Sequence, residues 1–342
     1  MGSVSSSVHV KVDKDTAFKF IADPKNIELV YPESLRFRVL EAPEHISDGS
    51  MIKMEARLLG QRFEWYSMVR DYRDGISFTD EAIGSPFILW KHTHTVRDST
   101  AEGGDAQLRG SNEGCIIDDR IVFRTVLGPI GDRFAERMIS NILEYRNHRI
   151  KEVLEGSNSK VEVKYKDTTV ISLAKGSALC IAMTMIGLLI PMYSNFNDSI
   201  LFLISNALAW FLLWFFTHDL LHLIVGVLVG VRFSHFYIGI SNLVKAFRVS
   251  PKYRMLFIAL GIKIDREGSR ASKYGYASMY IAGPLASMLI PFYVPLYMIS
   301  LQGVSAIVMF FLTLSVINLV VDAIMSSRHG CIRKGVRALT KP

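Results

Sequence analysis

The chain has 342 residues, half of them hydrophobic, with 39 Lys and Arg against 32 Asp and Glu and a formal net charge of +7. That length allows about two domains, and the mean hydropathy of +0.26 is high for a soluble protein. Cys115, Cys180 and Cys331 are odd in number and widely spread, which argues against a disulfide framework. The basic excess crowds beside apolar stretches, so membrane topology rather than nucleic acid explains it, and no nucleic-acid partner is expected.

Residues 1–156 carry most of the charge and predict a soluble α+β unit. Val4 to Val12 alternates as a strand does, and Phe18, Ile21 and Ala22 follow helical spacing until Asp23-Pro24 breaks it. Further strands are predicted at Leu35–Ala42, Met51–Leu59, Arg62–Asp71, Gly75–Ala82, Trp90–Arg97 and Cys115–Val126. Leu127-Gly128-Pro129 predicts a turn, and Phe134 to Leu154 a terminal helix with Met138, Ile139, Ile142 and Leu143 near one face. His92 and His94 are two apart, so on a strand they share a face and could bind a metal, polarise a ligand carbonyl or simply sit half-buried. Gly156-Ser157-Asn158-Ser159-Lys160 opens a linker over 157–170.

Residues 171–342 predict an all-α membrane unit. A span needs roughly 20 apolar residues, and four candidates follow at 174–193, 199–226, 274–299 and 304–325, with Gln302-Gly303 as a turn. The loop Ser194–Asp198 has no Lys or Arg, whereas 232–273 carries nine, including Arg232, Lys245, Arg254 and Lys273. The tail adds Arg328, Arg333, Lys334, Arg337 and Lys341. This bias predicts an integral membrane protein with both termini and the basic loop on the cytoplasmic side. No secretory signal opens the chain, which is consistent with a cytosolic first half, and a prokaryotic plasma membrane is the expected location. Alternation at Ile258 to Ile264 predicts a strand at the membrane edge.

His218-Asp219-Leu220-Leu221-His222 lies inside the second span, and Ser199 to Thr217 before it has no charge. Two histidines four apart share a helix face, a spacing that can present both imidazoles to one metal ion. Ionisable groups at this depth point to function, a metal site or a proton or ion path, with histidines simply hydrogen-bonded to neighbours as the plain alternative. His218 lies about 27 Å along its span at 1.5 Å per residue. Asp322 reaches nearly the same depth in the fourth span.

Here the chain resembles the site-2 protease family of intramembrane zinc metalloproteases, over residues 200–335. The motifs are His218-Asp219-Leu220-Leu221-His222, then Gly230-Val231-Arg232-Phe233, then Ala282-Gly283-Pro284-Leu285-Ala286, and finally Asn318 with Asp322. The resemblance implies Zn2+ held by His218 and His222, with Asp322 as third ligand and Cys331 or His329 as rivals. It implies that Asp219, where the family has Glu, is the general base, and that Asn318 holds the substrate strand or oxyanion. A membrane-protein substrate in the lipid bilayer follows. Asp219 is one methylene short and Asp322 lacks a following Gly, so a proteolytically inactive binding relative stays open.

The soluble half resembles the START-like, or polyketide cyclase-like, superfamily with the helix-grip fold. The matching segments include Phe63-Glu64-Trp65, Phe78-Thr79-Asp80-Glu81, Trp90-Lys91-His92-Thr93-His94 and Leu127-Gly128-Pro129-Ile130-Gly131. It implies a curved sheet around the last helix and an apolar cavity for a hydrophobic small ligand, lined by Trp65, Trp90, His92 and His94.

Overall fold

The computed structural model describes residues 1–99, 114–156, 165, 167, 169–194, 199–241, 244 and 247–340. Most of the expected linker 157–170 lies outside the described residues, as do residues 195–198, Lys245 and Lys341. The chain divides into two compact units: Met1–Thr168 with Arg248–Ile258, and Thr169–Phe247 with Ala259–Pro342.

The first unit is a seven-stranded antiparallel sheet that grips one long helix, as the expected fold class requires. Its strands are β1 (Gly2–Val10), β2 (Arg38–Glu41), β3 (Met51–Leu58), β4 (Gln61–Arg73), β5 (Ser77–Ile83), β6 (Leu89–Asp98) and β7 (Cys115–Arg124). Their order is β1-β7-β6-β5-β4-β3-β2. Strand β7 shows why one face closes over a core: Cys115, Ile117, Asp119, Ile121 and Phe123 are buried, and the residues between them are not. Helix α1 (Lys14–Ala22) starts where the Asp13 carboxylate accepts from the Thr16 amide, and buries Ala17 and Phe18. The short α2 (Ile27–Val30) follows.

The long helix α3 (Gly128–Glu155) begins six residues before the expected Phe134. Pro129, read from sequence as part of a turn, sits in the first helical turn instead, where its missing N–H costs nothing. Gly128 at φ +61° makes the entry. Ala135, Ile139 and Leu143 recur every four residues and pack on Val4, Ile121 and Phe123.

Among the described residues, the second unit contains four helices long and apolar enough to cross a membrane. They are α4 (Leu173–Tyr193), α5 (Ser199–Leu228), a third span divided into α6 (Lys273–Leu289) and α7 (Tyr293–Gln302), and α8 (Ala306–His329). Pro291 interrupts the third span with a single tight turn, because proline cannot supply the helical N–H. Gly303 at φ +75° ends α7. Helix α4 buries Gly176, Cys180, Gly187 and Pro191, a face of small residues that lets Leu213 of α5 approach Gly187. Large side chains such as Met185, Leu189 and Met192 point outward on the same helix. Strands β8 (Val170–Ser172), β9 (Arg232–Ile240) and β10 (Ile258–Asp265) form a small sheet in the order β10-β9-β8. A last helix, α9 (Cys331–Thr340), turns back after Gly330 and packs on α6, where Gly335 lies against the Ala277 carbonyl.

Candidate functional site

His218 and His222 stand one turn apart on α5, and their Nε2 atoms lie 3.2 Å from each other. Hydrogen bonding fixes which nitrogen carries each proton. His222 Nδ1 faces the Met279 carbonyl at 2.6 Å, so it must donate. His218 Nδ1 lies 3.2 Å from Ser287 Oγ. That hydroxyl has one proton, which the Pro284 carbonyl and the Asp322 carboxylate both solicit, at 3.1 and 3.2 Å. Ser287 therefore accepts from His218. Both Nε2 atoms are left as bare lone pairs facing each other, an arrangement that a shared cation satisfies.

The Cys331 sulfur joins them, 3.8 Å from His218 Nε2, and the three ligand atoms all lie within 4.8 Å of one another. Asp322, the expected third ligand, is not in this group. Its Oδ2 accepts from Trp214 Nε1 at 3.4 Å and from Ser287, so it reaches His218 only through that hydroxyl. His329 is likewise outside the group. Asn318 donates through Nδ2 to the Ser287 carbonyl at 2.9 Å, tying α8 to α6. Asp219 is 5% exposed, next to His218 on the helix. Gly283 has a local role that its motif did not disclose: a Cβ there would strike the His222 ring, so only glycine lets α6 pass this close.

The first unit holds a second cluster. Trp65, Trp90, His92 and His94 all line one cavity with apolar walls that include Phe37, Ile52 and Leu143. The strand register opposes Asp80 to His92 and Asp119 to His94. Asp119 Oδ1 accepts from His92 Nε2 at 2.9 Å and His94 Nδ1 at 2.7 Å, while Arg146 of α3 donates to Oδ2. His94 Nε2 lies 3.2 Å from Asp80, which also accepts from Ser67 at 3.1 Å.

Burial alone would raise the Asp119 carboxyl, but Arg146 and the two imidazoles outweigh it and hold it well below the usual carboxylate range. Burial alone would lower His94, but its bonds to Asp119 and Asp80 raise it instead. Burial, reinforced by His94, lowers His92 to about 4, so it stays neutral. Burial pushes the Tyr31 phenol in the cavity wall up to about 12. Asp119 is thus paired with Arg146 and both imidazoles, and Asp80 with His94. Asp80, His92 and His94 also meet the spacing of a metal site, but Asp119 and Arg146 already account for their charge.

No protein-family model and no curated protein matches the chain. Among solved structures it is similar to protein CV1439 from Chromobacterium violaceum, at 12% identity over 45% of this chain and 99% of that one, with TM-score 0.34. The KanY protein gives 15%, covering 46% and 100%, with TM-score 0.35. The di-domain ARO/CYC protein BexL from the BE-7585A biosynthetic pathway gives 15%, covering 53% and 56%, with TM-score 0.34.

Asp119→Asn leaves the buried Arg146 guanidinium without its carboxylate, and a loss of about 3–5 kcal/mol is expected in thermal unfolding. Acidification supplies a separate check. An unfolded His92 takes its proton near 6.5, whereas the folded one resists until about 4. Stability therefore falls as pH drops through that window. His94, raised, contributes fully below 6.5, and the lowered Asp80 and Asp119 begin to lose their contribution only below about 3.8. Amide protection of β6 and β7 should decline between pH 6.5 and 4, and His92→Gln should flatten that decline.

Proposed function

We propose that the chain is an intramembrane zinc metallopeptidase of the site-2 protease type, joined to a helix-grip unit that binds a hydrophobic small ligand or recruits substrate. The observation that carries this reading is the pair of bare Nε2 lone pairs, 3.2 Å apart on an apolar helix. The donor set fits the ion. Tetrahedral zinc with Zn–N near 2.05 Å separates two imidazole nitrogens by about 3.3 Å. The outward ring nitrogens are held by a backbone carbonyl and a hydroxyl, the usual support of histidine ligands.

A bound Zn2+ supplies Lewis acidity and makes water nucleophilic near neutral pH. The chain's own residues do the rest. His218 and His222 would hold the ion. Asp219 accepts the proton of the attacking water and returns it to the leaving amide nitrogen. Asn318 holds the α6 backbone at Ser287. β10, an outer strand of the β10-β9-β8 sheet, offers an edge on which an unwound substrate segment adds as a strand. The basic-loop bias supports cleavage near the cytoplasmic face of a prokaryotic plasma membrane, with both termini cytoplasmic. A second reading, a proteolytically inactive membrane protein whose business is ligand binding, is favoured by the cavity of the first unit.

Purified full-length protein supplied with zinc should retain one ion per chain and lose it in His218→Ala/His222→Ala. In proteoliposomes carrying a panel of single-span reporter helices, mass spectrometry should find cleavage that falls about 100-fold or more in Asp219→Asn. Zinc retention without cleavage of any reporter would favour the inactive reading, and absence of zinc would remove the peptidase. Gly283→Ala should reduce zinc retention without unfolding the bundle, because the added methyl displaces the His222 ring.

A further inference from the structure

Resting on the reading of His218 and His222 as a metal pair, we propose that Cys331 is the third donor and that Asp322 is a positioning residue. The centre would then be His2Cys, with a thiolate delivered by the helix after the last span. Three observations meet here. The Cys331 sulfur lies 3.8 Å from His218 Nε2, and all three donor atoms fall within 4.8 Å. For Zn–S near 2.3 Å and Zn–N near 2.05 Å, a tetrahedral centre separates sulfur and nitrogen by about 3.6 Å. The Asp322 Oδ2 is spent on Trp214 and on Ser287, which in turn accepts from His218.

The fold places this sulfur with some care. Gly330 ends α8, and Ser326 accepts at its carbonyl from the Gly330 amide and at its hydroxyl from the Ile332 amide. The chain thereby reverses within one residue. Gly335 then seats α9 on α6 near Ala277 and Ile281, the helix that also carries Met279 and Ser287. Loading releases the thiol proton to solvent, and the thiolate contributes one negative charge toward the divalent ion. Asp322 acts through Ser287 by fixing the ring of His218.

Full-length protein with Cys115→Ala and Cys180→Ala, so that Cys331 is the remaining thiol, is titrated with Co2+ and followed by absorption. One equivalent should bind with an intense near-ultraviolet sulfur-to-cobalt charge-transfer band. Cys331→Ser should abolish the band and weaken binding at least 100-fold, and Cys331→His should restore binding without the band. Asp322→Asn should keep the band while binding weakens about 10-fold. Tight cobalt binding with no sulfur band, or loss of the ion in Asp322→Asn but not in Cys331→Ser, would overturn the thiolate and leave the histidine pair standing. No cobalt binding at all would overturn both.

Discussion

Two imidazole lone pairs held 3.2 Å apart inside an apolar helix are the constraint on which the membrane unit depends. Left bare they repel. The elements nearby are arranged to keep them there. Met279 and Ser287 of α6 take the outward protons, Gly283 clears room for the second ring, and Asn318 fixes the α6 backbone from α8. A structural pair of histidines would turn one ring to donate to the other. Here the outward bonds to Met279 and Ser287 favour protons on both Nδ1 atoms and oppose that turn.

The helix-grip unit solves a related problem differently. Asp119 is 1% exposed and would be costly alone. Arg146 from α3 and two imidazoles from β6 surround it, so sheet and helix are joined by charge as well as by the apolar contacts of Ile139 and Leu143. Pairing of this kind fixes a unique arrangement more than it adds stability.

Much of this was legible in the sequence because the controlling signals are periodic and local. Alternation located every strand of the sheet to within a few residues, and the apolar runs located the spans. Helical spacing put His218 and His222 on one face. What stayed open in the sequence, with Asp322, Cys331 and His329 all candidates for the third ligand, is what depends on chain reversal and on partners far apart in sequence. Asp322 looks like a ligand by depth alone, yet depth says nothing about which direction a carboxylate faces, and Trp214 and Ser287 claim it. Cys331 lies past the last span, and only the turn at Gly330 brings it back. Asp119 and Arg146 carried signals that could have been read. Asp119 breaks an inward run of Ile117, Ile121 and Phe123, and Arg146 falls among Leu143 and Ile150 on the buried face of α3.

The two departures from the site-2 protease pattern bear on each other. A shorter acid at 219 counts as misplaced only relative to the group it must reach, and about 1 Å decides its effect. That reach is set by the donors. A thiolate from α9 and a carboxylate from α8 would draw an ion toward different sides of the histidine pair, so the distance demanded of Asp219 changes with the third ligand. Judged against a centre closed by Asp322, Asp219 argues for lost activity. Judged against one closed by Cys331, its length is part of the same rearrangement.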